Sequence, residues 1–386
     1  MREVMVMDEN FREKLEAYTN GKLSESEKIQ LENELDKLEI YQSYLDEIMQ
    51  GDDSTKQKNN NFNEKALIKK VIWKARIQNA LTALSILLLV GCACWSITTI
   101  FYSWGEPDRA SNYSEIIRTS VEATHPNVTV NDSIQSGILK LYIDGELNKQ
   151  LGDGQKNIGE VKSSFFFGLP TINISKQVQP APFFIYPEQQ KSIQIDNGFK
   201  RLEHLPEGTV SELYISFSDY LTTDATLKLL EGKNLLPAWF AVDTGIDKNR
   251  SEWIEPSLGF PYSGFNLQKN EKVISKEKSG NGFVTTEITG SVNLGFESYG
   301  DAAKRNKEFL DVLDLMNSNS LISQNVASFS KQRLQEKTNY IKRNGVRIYG
   351  VVVTGPTKEL LKLQKEKWVG KASVGDVDFW NWNESK

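Results

Sequence analysis

The spacing of apolar positions changes repeatedly along the chain. Residues 8–20, "DENFREKLEAYTN", place Phe11, Leu15 and Tyr18 at i, i+4 and i+7, the stripe of a short helix. Gly21 follows as its stop. Ser24 and Glu27 form an S-x-x-E capping box. It predicts a longer helix to about Met49, with Leu31, Leu35, Leu38, Tyr41, Leu45 and Ile48 on one side. The stretch "QGDDSTKQKNNNFNE" is polar and reads as a linker. Helical spacing resumes in the basic "KALIKKVIWKARIQN". That segment either lies on the inner leaflet of a membrane or extends a spanning helix, and an anchor on the leaflet is the preferred reading. From Ile77 to Gly105 no residue is charged. The densest part, Ala80 to Trp104, is long enough to cross a bilayer as a helix. It starts too far into the chain and runs too long for a signal peptide.

Beyond the apolar run the pattern is mixed. Gly105 to about Asp132 reads as a tether with some helical character at "YSEIIRTSVEA". "GILKLYIDGEL" and "EVKSSFFFGL" predict a hairpin with a long loop at "GDGQKN". "QVQPAPFFIYP" is bounded by proline and extended. "GTVSELYISFS", "TTDATLKLLEGK" and "LLPAWFAVDTG" then predict strand, helix and strand, with Thr223 and Asp224 as candidate caps. "NGVRIYGVVVTG", "PTKELLKLQKEK" and "VGKASVGDVDFWNW" repeat that order. Two β-α-β passages suggest a duplicated α+β unit. Two helices are expected between them, at "DAAKRNKEFLDVLDLMNSN" and "VASFSKQRLQEKTNYIKRN".

Charge sharpens this division. The net charge is −5, yet residues 1–60 hold 15 acidic and 8 basic side chains, and the remainder is slightly positive. The acidic head disfavours nucleic acid and favours a basic partner. Two helices in fifty residues bury too little surface to stand alone, so their leftover apolar face calls for a partner. Lys65, Lys69, Lys70, Lys74 and Arg76 precede the apolar run. Only Arg109 and Arg118 follow it at comparable distance, so the positive-inside rule predicts a cytoplasmic N-terminus. Trp73, Tyr102 and Trp104 suit the interfaces.

Candidate chemistry is sparse. The chain lacks G-x-S-x-G, H-E-x-x-H and Walker signatures. "VVVTGPTKEL" joins a strand to a helix without the glycine–lysine pattern of a phosphate loop. Cys92 and Cys94 both lie in the apolar run, and the histidines are His125 and His204, beside prolines. No catalytic residue, metal site or cofactor is expected. The aromatics of "SSFFFGL", "FFIY" and "DFWNW" read as core, with a ligand groove as the lesser reading.

The stretch "YTNGKLSESEKIQLENELDKLEIY" resembles the N-terminal domain of bacterial membrane-bound anti-sigma factors. In their zinc-binding branch a similar turn precedes H-x-x-x-C-x-x-C. Here Glu34, Leu38 and Tyr41 stand at those places, so the resemblance implies a zinc-free member. "LPEGTVSELYISF", "NGVRIYGVVVTGPTKELLKL" and "VGDVDFWNW" resemble the external domain of the sigma factor regulator family, of the anti-sigma-M factor type.

The implied organisation is a cytoplasmic all-α hairpin (1–50), a linker and basic juxtamembrane helix (51–79), a transmembrane helix (80–104) and an extracytoplasmic α+β domain (105–386). The implied partner is an extracytoplasmic-function sigma factor, released on envelope stress through a second membrane regulator or a protease. It would be held by Phe11, Leu15, Tyr18, Leu31, Leu35, Leu38, Tyr41, Leu45 and Ile48, with Glu32, Glu34, Asp36 and Glu39 as an acidic rim. An anchored external enzyme and a ligand-binding receptor are the alternatives.

Overall fold

The computed structural model describes residues 14–21, 23–50, 64–176, 183–193, 197–246, 256–279, 286–293 and 295–380. It divides into two compact units, Met1–Ala83 and Leu84–Lys386.

In the first unit, residues 14–19 form helix α1 and Glu25–Gln50 form α2. Gly21 ends the first turn at φ +67°, a conformation open to glycine, and its N–H donates to the Tyr18 carbonyl at 3.1 Å. The capping box forms in modified shape. The Glu27 carboxylate accepts from both the Ser24 N–H at 3.1 Å and the Ser24 hydroxyl at 2.6 Å. These two bonds hold the Glu27 carboxyl below its ordinary range.

Helix α3 runs unbroken over Glu64–Tyr102. Its 39 residues rise about 58 Å, against about 30 Å of bilayer hydrocarbon. The basic segment is therefore the first turns of the spanning helix. The in-plane anchor would need a break, and α3 contains none. Lys69–Tyr102 is long and apolar enough to cross a membrane.

The second unit continues from α3. Helix α4 (Arg109–Thr124) corrects the expected tether. Ile116, Ile117, Val121 and Ala123 are fully buried, because "YSEIIRTSVEA" alternates core and polar residues at helical spacing. Strands β1 (Val128–Ser136), β2 (Lys140–Leu151), β3 (Gly154–Phe166) and β4 (Leu169–Lys176) form an antiparallel meander in that order. The β2–β3 connection is tight where a long loop was expected. Leu151 pairs with Gly154, and Gly152 takes φ +56°, so "GQKN" joins the strand. The inner face of this sheet packs Val130, Leu141, Ile143, Val161 and Phe165 against α4.

The second sheet has the order β11-β5-β10-β6-β7. Its strands are β5 (Thr209–Leu221), β6 (Leu236–Val242), β7 (Gly259–Pro261), β10 (Ile348–Pro356) and β11 (Val369–Phe379). All ladders are antiparallel. β8 (Glu271–Ser279) and β9 (Thr286–Asn293) form a separate ribbon.

Helix α5 (Gly198–Glu203) precedes β5, α6 (Thr223–Leu230) joins β5 to β6, and α10 (Thr357–Lys362) joins β10 to β11. Both expected β-α-β passages are present, but they interlock. β10 lies between β5 and β6, and β5 lies between β10 and β11, the split β-α-β order. The cap of α6 is Thr222, not Thr223 or Asp224, and its side chain accepts from the Ala225 N–H. α7 (Ala302–Ser318), α8 (Ser320–Ala327) and α9 (Lys331–Asn344) lie between the passages. "SFSKQRLQEK" thus contains a break, with Ser330 capping α9.

One face of the second sheet carries Leu213, Ile215, Phe217, Val351 and Val353 into the main core. The other gathers Tyr214, Trp239, Tyr349 and Val352 under Phe184 and Tyr186. Gly350 permits that cover, since a Cβ there would meet Phe184 at 2.4 Å.

Candidate functional site

Helix α2 carries one apolar stripe whose two halves differ in what covers them. Toward its start Leu31 is 2% exposed and Leu35 half-buried, and Leu15 and Tyr18 of α1 are half-buried. The Tyr18 hydroxyl donates to Glu32 Oε1 at 2.8 Å, which fixes that side of α2 to the hairpin. Beyond residue 37 the helix carries uncovered apolar groups. Leu38 is 51% exposed, Tyr41 62% and Leu45 42%. At 3.6 residues per turn these three share one side. The same sector in the first half of α2 holds Glu27, Leu31 and Glu34, where Leu31 is covered.

The hairpin thus uses Leu15, Tyr18, Leu31 and Leu35 for its own packing and leaves Leu38, Tyr41 and Leu45 outward. Two residues were not anticipated. Ile40 and Tyr44 are exposed and widen the stripe beyond Tyr41. The signal was available, since "LEIYQSYL" holds more apolar residues than one self-packing face can use. Phe11 lies outside the described residues, and so does the Ile48 side chain.

The acidic residues divide likewise. Glu34 sits one turn before Leu38, at the edge of the outward stripe. Helical periodicity places Glu32, Asp36 and Glu39 on the other side, and Glu32 is bound to Tyr18. Of the expected rim, Glu34 lies in line with the outward stripe. Among the described residues no group of His, Cys, Asp or Glu is arranged to hold a metal.

Unit two begins inside α3, and the helix end is built into the first sheet. Tyr102 is buried and its hydroxyl donates to the Phe165 carbonyl at 2.8 Å. Thr98 is also buried, and its Oγ1 accepts from the Leu139 N–H at 2.9 Å. Arg109 donates to the Phe101 carbonyl at 2.7 Å and lies over the Phe101 ring at 4.5 Å.

The two sheets are joined by a buried polar network. Glu212 accepts from Asn127 at 2.8 Å, from Lys149 at 2.9 Å and from the Asp376 N–H at 3.1 Å. Lys149 also reaches Asp376 at 2.9 Å. Burial pulls the Lys149 ammonium down, but Glu212 and Asp376 hold it above the ordinary lysine range. Burial pushes the Asp376 carboxyl up, but Lys149 and Lys156 hold it low.

On α4, burial pushes Glu122 up to about 8 against the pull of Arg118. Burial and Lys176 push His125 down to about 3. His125 caps α4, and His204 caps α5.

The aromatic stretches divide between both readings. Phe165, Phe184 and Tyr186 are core. Phe379 and Trp380 line an open cleft of about 630 Å³ with Lys156, Lys233 and Asp378.

Residues 65–156 match the model of the sigma factor regulator N-terminal region, and residues 202–376 match that of the sigma factor regulator C-terminal region. The first match takes in α3, α4, β1 and β2, and the second takes in most of the split β-α-β sheet. The hairpin α1–α2 precedes both. It is covered by similarity to the probable anti-sigma-M factor YhdL of Bacillus subtilis (strain 168). That protein is 27% identical, over 98% of this chain and its own whole length. No solved structure gives a significant match. With both of its regions matched in order and a relative aligned from end to end, the chain belongs to the sigma factor regulator family.

Proposed function

We propose that the chain is a membrane-anchored anti-sigma factor that holds an extracytoplasmic-function sigma factor through the outward face of α2. The observation that carries this reading is the uncovered stripe Leu38, Tyr41 and Leu45 on an acidic helix. Apolar side chains left in water where a covered stripe continues are the anchors a protein partner buries. The excess of acidic residues around them steers a basic, DNA-binding partner toward the site. The similarity to YhdL supports the same partner class. Binding blocks the sigma factor from polymerase and promoter.

The lysine and arginine bias puts this hairpin in the cytoplasm and the α+β domain outside. The external domain relays the state of the envelope, and release passes through a second membrane protein or through cleavage. The protein acts by binding and carries out no catalysis. Full-length protein in membranes should co-purify with an extracytoplasmic-function sigma factor and inhibit transcription from its promoters. Absence of both binding and inhibition would sink the reading.

A further inference from the structure

The first sheet ends in two hairpin tips beside the last turns of α3. One tip is 137–139, between β1 and β2. The other is 166–169, between β3 and β4. The first reaches back along the helix, because the Leu139 N–H bonds to Thr98, one turn before Tyr102. One helical turn is about 5.4 Å. The second lies against the same turn, with the Phe167 and Phe101 rings edge to face at 5.2 Å. Both contacts fall within the charge-free run that ends at Gly105.

The tips carry the wrong residues for water. Turns favour Gly, Asn and Asp, above all where φ is positive. Here Leu139 takes φ +59° and Phe167 takes φ +45°. A side chain with a Cβ is disfavoured there. Ile138 is 65% exposed and Leu169 64%, with Phe166 and Trp104 exposed beside them. No charged residue occurs in 137–139 or 166–169.

The backbone also suits a place at the lipid boundary, where loose N–H groups are costly. The Gly137 N–H donates to the Lys140 carbonyl at 2.8 Å, and Thr98 satisfies Leu139.

We propose that both tips are seated in the interfacial layer of the extracytoplasmic leaflet, forming an apolar collar around the exit of α3. The occupant is phospholipid. Continuity with α3 fixes it, since a tip bonded to Thr98 shares the depth of Thr98. Ile138, Phe166 and Leu169 enter the headgroup–acyl boundary as the apolar face of an interfacial segment does. The collar holds the first sheet against the bilayer and makes the external domain sensitive to the packing of that leaflet. The proposal rests on the reading that α3 crosses the membrane.

Spin-label accessibility tests it on full-length protein in vesicles of phosphatidylcholine and phosphatidylglycerol. Cys92 and Cys94 are first replaced by serine and alanine. Single labels are then placed through Ile138→Cys, Leu169→Cys, Leu88→Cys and Lys358→Cys. Oxygen partitions into lipid and a nickel chelate stays in water. Labels at 138 and 169 should shift toward oxygen, as the mid-span label at 88 does and the label at 358 does not. A lipid-exposed label at 88 with water-exposed labels at 138 and 169 overturns the collar and leaves the span intact. Water exposure at 88 itself removes the span, and the collar with it. Labels at 138 and 169 that are wet in vesicles but shielded in native membranes assign the tips to a protein partner and also overturn the proposal.

Discussion

Leu31 and Leu38 are the same residue type on the same helix, two turns apart, and differ in what covers them. Leu31 is sealed and Leu38 is half in water. Leu31→Ala should lower hairpin stability by about 2–5 kcal/mol, the range for buried leucine. Hydrogen exchange across α1 and α2 in the full-length protein checks this. Leu38→Ala and Leu45→Ala should each change that stability by about 0.5 kcal/mol or less. If they are anchors, each should weaken the partner by about 2 kcal/mol, or roughly 30-fold.

Glu122 makes a prediction in pH. Its carboxyl ionises near 4.5 when unfolded and near 8 when folded. Between those values the native state keeps a proton that the unfolded chain has lost, so stability falls as pH rises. His125 runs the other way from about 3 to 6.5, where the unfolded chain holds the extra proton. The two oppose each other from 4.5 to 6.5. From 6.5 to 8 the fall from Glu122 stands alone, at up to ~1.4 kcal/mol per pH unit. Thermal melts that follow the α+β domain should show this slope, and Glu122→Gln should remove it. Nothing in the sequence marked Glu122, because its burial depends on a sheet and helices distant along the chain.

Helix α2 was legible as an element and only half legible as a surface. Its cap, length and first stripe follow from local spacing, as do β5, β6 and β10. The division into a covered and an open half does not, because the short α1 reaches only the first turns of α2. Helix α4 looks like a tether in sequence because its core contacts lie on β1 and α8 rather than within its own residues. The Lys149–Glu212–Asp376 network was equally hidden, being assembled from three strands of two sheets. Its prediction belongs to the joint between those sheets. Lys149→Met strands two carboxylates that are partly or wholly buried and should cost about 3–5 kcal/mol in calorimetric unfolding. Lys362→Met breaks an exposed pair with Glu359 and should cost about 1 kcal/mol or less.

For the whole molecule, order along the chain was legible and order in space was not. The two β-α-β passages could be read in series, yet strand pairing interleaves them. Antiparallel pairing of distant strands leaves no local trace, because either strand alone has the same alternating pattern. The structure also shows that the end of α3 is packed into the α+β domain rather than tethered to it. Tyr102 and Thr98 are bonded to the first sheet and its β1–β2 tip, which fixes the last turns of α3 to that sheet.

The most direct test of the central claim is the affinity of the full-length protein, reconstituted in lipid nanodiscs, for a purified extracytoplasmic-function sigma factor. Leu38→Asp with Leu45→Asp serves as the comparison. We expect tight binding by the native chain and loss of at least about 100-fold in the double variant, with hairpin hydrogen exchange unchanged. Equal binding by both proteins, or none by the native chain, would contradict it.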